Sequence, residues 1–240
     1  MNAIKSFNNL AEDYDNWFDA NSEIYNAEIE TLADFIPKTG SGLEVGVGTG
    51  RFAAPFGIRT GIDPAHGALR YALARDILVC QAVGEQLPFE SDRFDFALLN
   101  TVDPFVDDIH IILIEIYRVL NAQGQFIIGM IDKGSHLGQI YNAEKEKDPF
   151  FRDAHFHSCD EMIRHLRNAG FSNFVCRQTL IGDPIAAAYE REQEGETMVN
   201  TLSIQDGFGK GGFVALRADK LSPEQASRVS VNTETSISKR

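Results

Sequence analysis

The sequence predicts an α/β fold: a mostly parallel, seven-stranded sheet packed with helices, preceded by a helical segment and closed by an antiparallel last strand. Three observations carry this reading. Between Gly42 and Ile131 short apolar runs alternate with helical stretches, the signature of βαβ units on a parallel sheet. In the first 38 residues Tyr25, Ile29, Leu32 and Ile36 recur at helical spacing instead. The 240 residues are 43% hydrophobic and 24% charged, enough for one domain with a substantial core and a small appendage.

Each element has its own signal. Pro37 and Gly40 end the leading helical stretch. Strands are expected at Leu43–Val47, Arg59–Ile62, Ile77–Val83, Phe94–Leu99 and Gln125–Ile131. Gly48–Phe56 reads as a loop entering a short helix. Pro64–Arg75 is a helix with proline in its first turn. Asp107 or Asp108 can cap the helix that runs to Leu120. Ser158 and Glu161 form a capping box for a helix over Asp160–Asn168, and Gly170 ends it. Phe171–Leu180 and Gly212–Arg217 read as the last two strands, paired antiparallel across a polar excursion. Glu190, Glu192, Glu194 and Glu196 in that excursion are expected on a solvated loop. The organisation is therefore a helical lid at 1–38, one domain at 39–218, and a Ser/Thr-rich tail at 219–240 that is expected to be mobile.

Composition excludes several functions. The formal net charge of −13 repels phosphate backbones, so nucleic acid is not an expected partner. Cys80, Cys159 and Cys176 have neither paired nor zinc-like spacing, which leads us to expect a reduced, cytoplasmic protein without a metal. No signal peptide is visible at the N-terminus, and Ile111–Ile114 falls far short of the ~20 apolar residues that a membrane span needs.

The sharpest motif is Leu43-Glu44-Val45-Gly46-Val47-Gly48-Thr49-Gly50, a strand running into a glycine loop. Glycines there admit positive φ and close approach of a ligand, and free amides favour an anionic or polar group. A tight strand-to-helix turn would need the same glycines. A dinucleotide fingerprint requires a further glycine where Arg51 stands, so a nicotinamide oxidoreductase is disfavoured. Glu44 inside the strand suits a cationic ligand. Asp63, after the second strand in Thr60-Gly61-Ile62-Asp63-Pro64, can accept both hydroxyls of a ribose or can cap the helix after it.

Together LEVGVGTG, GIDP, GEQLPFESDRFDFALLN and EIYRVLNAQGQFIIGMID resemble the successive motifs of class I S-adenosylmethionine-dependent methyltransferases, in the small-molecule branch that includes the ubiquinone and menaquinone C-methyltransferases. The resemblance covers roughly residues 40 to 132. It implies a Rossmann-like sheet with helices on both faces and S-adenosylmethionine as cofactor. It puts Glu44, Gly46, Gly48 and Gly50 at the methionine end, Asp63 on the ribose, Pro64 beside the adenine, and Asn100 with Thr101 facing the methionine and the acceptor. The usual Gly-Asp of the third strand reads Ala82-Val83 here, which leaves Gly84 or Glu85 to meet the adenine. A tyrosine on a covering N-terminal helix, here Tyr14, can reach the methionine end. Packing alone would also account for Tyr14 and Trp17.

The chemistry expected is in-line methyl transfer to a small molecule, with alignment and exclusion of water supplied by the protein. No catalytic base is assigned. Asp103, Asp132, His136, His155 and His157 are the candidates near the strand ends. A catalytically silent module that binds S-adenosylmethionine is the alternative.

Overall fold

Strands β1 (Gly42–Val45) and β4 (Phe94–Asn100) are apolar almost throughout because both faces of the sheet are covered at its centre. The computed structural model describes residues 2–181 and 202–221, and among these eight strands form one sheet. The others are β2 (Thr60–Asp63), β3 (Leu78–Gln81), β5 (Leu120–Ile131), β6 (Phe171–Ile181), β7 (Gln205–Asp206) and β8 (Gly211–Lys220). Their order is β3-β2-β1-β4-β5-β8-β6-β7. The first five pair in parallel, and β8 runs antiparallel between β5 and β6. The antiparallel last strand is therefore as expected. The expected count of seven is exceeded by the two-residue β7, which pairs with Arg177 and Gln178 of β6.

Helices cover both faces. On one, α5 (Ile109–Val119) and α7 (Cys159–Asn168) bury Ile112, Leu113, Ile116, Met162 and Leu166 against the sheet. On the other, α3 (Ser22–Ala33), α4 (His66–Ala74) and α6 (His136–Glu144) bring Leu32, Leu69 and Leu137 onto Phe96, Ile127 and Phe213. The expected capping box of α7 is present: Glu161 N–H donates to Ser158 Oγ, and Ser158 N–H donates to Glu161 Oε2. Asp108 caps α5 by accepting from His110 N–H.

The structure departs from the sequence reading elsewhere too, and β5 begins at Leu120 instead of Gln125. The short helix expected after the glycine loop is a run of turns, since Pro55 lacks a donor and Gly57 takes φ +69°. Helix α6, capped by Ser135, was not anticipated. Strand β8 continues through Lys220, past the expected boundary at 218. The leading 38 residues also divide. Helix α3 is a core helix of the sheet, whereas α1 (Asn2–Asn9) and α2 (Ala11–Ala20) reach over the sheet's carboxyl edge. The glutamate-rich excursion from 190 to 196 and the tail from 222 lie outside the described residues.

Candidate active site

Chain order reverses on the two sides of β1, whose neighbours are β2 and β4, and this opens a crevice at the carboxyl ends of these strands. The glycine loop lies there. Gly46 takes φ +77°, and a Cβ on it would stand 2.2 Å from Val102 Cγ2, so only glycine fits. The amides of Gly46 and Val47 both donate to Ile62 O at 2.8 Å. Gly48 takes φ +51°, and a Cβ there would meet nothing nearer than Tyr14 Cε1 at 3.8 Å. The space above Gly48 is a cavity of about 510 Å³.

That cavity brings together most of the residues singled out from sequence: Tyr14, Gly46, Gly48, Asp63, Pro64, Gly84, Glu85 and Asn100 all line it. Two do not. Gly50 turns toward α4, where a Cβ would lie 2.6 Å from Ile77 Cδ1 and 3.1 Å from Ala72 Cα, so packing alone requires glycine there. Glu44 is 2% exposed and stays beneath the loop. Burial pushes its carboxyl well above the usual range, a backbone hydrogen bond from Ala53 partly offsets this, and Oε2 has no partner.

Asp63 combines both roles read for it. Its Oδ2 accepts from Gly48 N–H at 2.9 Å and its Oδ1 from Ala65 N–H at 2.7 Å, so it ties the glycine loop to the start of α4. A carboxylate oxygen can accept more than one hydrogen bond, so capacity remains on the cavity side. Burial raises its pKa, and the two amides pull it back.

At the end of β4, Asn100 is buried with its Oδ1 unpartnered, and Gly129 leaves room for it: a Cβ there would stand 1.9 Å from that oxygen. The next residue, Thr101, takes φ +51°, a strained conformation for a β-branched residue, beside the cavity. Val83, in place of the expected aspartate, is 42% exposed and lines the wall with Gly84 and Glu85.

The cover is fastened by Arg51, the residue that broke the dinucleotide fingerprint. Its guanidinium donates to Asp15 Oδ1 and Oδ2 at 3.0 and 2.9 Å and to both carboxylate oxygens of Asp19 at 2.8 and 2.7 Å. Arg75 adds a bond to Asp15 Oδ2 at 2.9 Å, and the Tyr25 hydroxyl donates to Arg51 O. Burial opposes ionisation of Asp15, but these guanidinium bonds win and hold its carboxyl below the usual range. Tyr14 projects from the same α2 into the cavity, its ring edge-on to Phe7 and Phe18. Burial, and then the charge of Glu28, pushes its phenol up.

None of the five candidate bases lines the cavity. Asp103 is fully buried, with Oδ2 3.3 Å from His157 Nδ1. Asp132 Oδ1 accepts from the amides of Gly134 and Cys159. His136 and His155 are exposed. The sequence reading missed Ala3, Ile4 and Phe7 of α1, and Phe105, Asp107 and Ile111 around α5. Helical periodicity marks an apolar stripe but does not say what it docks on.

Comparison with known proteins agrees with this fold. The family described as a methyltransferase domain matches residues 43–128. An uncharacterized protein of Methanocaldococcus jannaschii is 43% identical over 215 residues, covering 90% of this chain and 98% of its own. The crystal structure of an S-adenosylmethionine-dependent methyltransferase of Thermotoga maritima, described as a possible histamine N-methyltransferase, is 35% identical. It superposes with a TM-score of 0.81 over 90% of this chain and 99% of that one. A Haloferax volcanii methyltransferase, solved in complex with the Trm112 methyltransferase activator, shares the fold at 17% identity, with a TM-score of 0.65 over 90% of this chain and 98% of that one.

Proposed function

The chain belongs to the class I S-adenosylmethionine-dependent methyltransferase family, and from that premise we propose that it is an enzyme that methylates a small molecule. The observation that carries the reading is the cavity over Gly48, walled on one side by the strand ends and on the other by α1 and α2. The residues present fit the cofactor. The space above Gly48 is open to a ligand, and Asp63 and Asn100 keep acceptor capacity beside it.

In this proposal Asp63 holds the ribose hydroxyls. Gly46 and Gly48 admit the methionine end, with Glu44 beneath the loop. Pro64 and Val83 flank the adenine, with Gly84 or Glu85 meeting its polar edge. Tyr14 and Asn100 close the methionine end. When bound, the cofactor supplies an activated methyl group on a sulfonium. The chain's own part is to align the acceptor and exclude water, which the cover formed by α1 and α2 suits. A helical cover over the cavity and a net charge of −13 both favour a small acceptor over a nucleic acid. The likeness to quinone C-methyltransferases rests on cofactor-side motifs, and these say nothing of the acceptor.

The test is to supply S-adenosylmethionine labelled in its methyl group and follow S-adenosylhomocysteine and labelled product across a panel of small acceptors. Turnover with one of them is the expected result. Tight cofactor binding with no turnover on any acceptor would favour the silent module, and no cofactor binding would overturn the reading altogether.

A further inference from the structure

At the carboxyl edge of β5 and β6 lies a second chamber of about 30 Å³. Trp17, Ile24, Leu137, Tyr141 and Phe213 wall it, with Glu28 of α3 among them. Glu28 is 9% exposed and has no hydrogen bond or ion pair among the described residues. Among the other buried carboxyls near the strand ends, Asp63 and Asp132 each accept from two amides and Asp103 Oδ2 lies against His157, while Asp103 Oδ1 and Glu44 Oε2 have no partner. Burial alone acts on Glu28 and pushes its pKa up to about 8.

A buried carboxyl without a donor costs stability, and a ligand that brings the donors relieves that cost. The chamber's volume is about that of one water molecule, and so of one ammonium head. The Trp17, Tyr141 and Phe213 rings in its wall would attract a cation. Among the described residues no Lys or Arg contributes to the titration of Glu28. Trp17 of the chamber and Tyr14 of the cofactor cavity stand on the same helix, α2. Tyr14 lines that cavity, and Glu28 is the charge Tyr14 feels most strongly.

We propose that this chamber is the head-group site of the methyl acceptor, and that the acceptor is a small amine whose ammonium is held by Glu28, with its remainder reaching toward Tyr14. The proposal rests on the methyltransferase reading for the word acceptor, but not for the site itself. Glu28 is a binding residue in it, and the anchored nitrogen need not be the atom methylated. Formation of the pair sends the Glu28 proton to solvent. The titratable groups facing it are Tyr14 from α2 and Tyr141 from α6, both phenols pushed upward chiefly by burial, while β5 and β8 present Ile131 and Phe213. Glu28 alone therefore changes protonation when an amine binds at pH 7.

The test titrates 2-phenylethylamine and its neutral analogue 2-phenylethanol into the full chain by calorimetry, with and without saturating S-adenosylhomocysteine. It uses wild type and Glu28→Gln, and circular dichroism checks that the variant is folded. Wild type is expected to bind the amine at least tenfold more tightly than the alcohol. It should also release about one proton, read from buffers of different ionisation heat. Glu28→Gln should lose both the preference and the proton release while keeping its affinity for S-adenosylhomocysteine. Equal binding of amine and alcohol by wild type, or an amine preference that survives in Glu28→Gln, would overturn the proposal and leave the chamber as a water site only. Failure of S-adenosylhomocysteine to bind would strike the methyltransferase reading instead, and the titration without it would still judge Glu28.

Discussion

The two halves of the site treat their buried acids differently. Under β1 and β2, Asp63 is satisfied by Gly48 and Ala65, and the Glu44 carboxyl takes the Ala53 amide. These bonds fold the glycine loop, so the same groups that shape the pocket also stabilise the chain. Under β5, β6 and β8, Glu28 is buried beside Trp17, Tyr141 and Phe213 and makes no hydrogen bond among the described residues. In the first half backbone amides offset part of the burial that raises both carboxyls, and the Glu44 Oε2 is left without a partner. The other carries a cost that a ligand bringing donors would relieve, which is how binding specificity is usually built against stability. A substitution in the first half should therefore damage binding and folding together, and one in the second should separate them.

The comparison breaks most visibly at Gly48. Replacing it with Val puts a side chain into the cavity from a φ of +51°, and S-adenosylmethionine binding should be lost by more than a hundredfold while the sheet stays folded. Calorimetry with the variant, set beside its circular dichroism, checks this; unchanged affinity would remove the loop from the cofactor site.

Glu28→Gln should act in the opposite direction on stability. The carboxyl's folded pKa of about 8 lies above its ordinary 4.5, so the folded state loses stability as pH rises from 4.5 toward 8. The variant should be more stable than wild type by about 3 kcal/mol at pH 7, an upper figure, and equal to it at pH 4. Chemical denaturation at the two pH values measures the gap; a variant less stable at pH 7 would show that Glu28 has a partner in the folded chain.

Asp63→Ala should weaken cofactor binding by roughly five- to a hundredfold, the cost of about 1–3 kcal/mol for an unpaired polar contact. Unlike Glu28→Gln it should also lower stability, because the Gly48 and Ala65 amides lose their acceptor.

Arg51→Ala has the smallest expected effect, about 1 kcal/mol, since Arg75 still pairs with Asp15. The sign with pH is fixed. Asp15 is held below its ordinary pKa, so its contribution is present at neutral pH and is lost as pH falls below about 4. The difference between wild type and variant should shrink there, as paired melts at pH 7 and pH 3 would reveal. A difference that persists at pH 3 would mean that Arg51 acts by packing alone.

What was legible in the sequence follows the same division. The glycine loop and Asp63 lie within twenty residues of each other on a β-turn-β path, so their order alone placed them at one strand edge. Spacing did not say which glycine faces a ligand, and Gly50 turned out to face Ile77 and Ala72. The other half is assembled from α2, α3, α6, β5, β6 and β8, elements far apart in the chain, and no local pattern reports their meeting. One clue was present. Glu28 stands three residues after Tyr25 and four before Leu32, a carboxyl inside the apolar stripe of its helix. Read alone, that stripe suggested a lid, whereas α3 packs on the sheet and only α1 and α2 cover the cavity.

Titrating S-adenosylmethionine into wild type, Glu28→Gln and Asp63→Ala side by side tests the central claim most directly. The account predicts one site per chain, the same affinity in wild type and Glu28→Gln, and a five- to hundredfold loss confined to Asp63→Ala. No binding by wild type, or an equal loss in both variants, would contradict it.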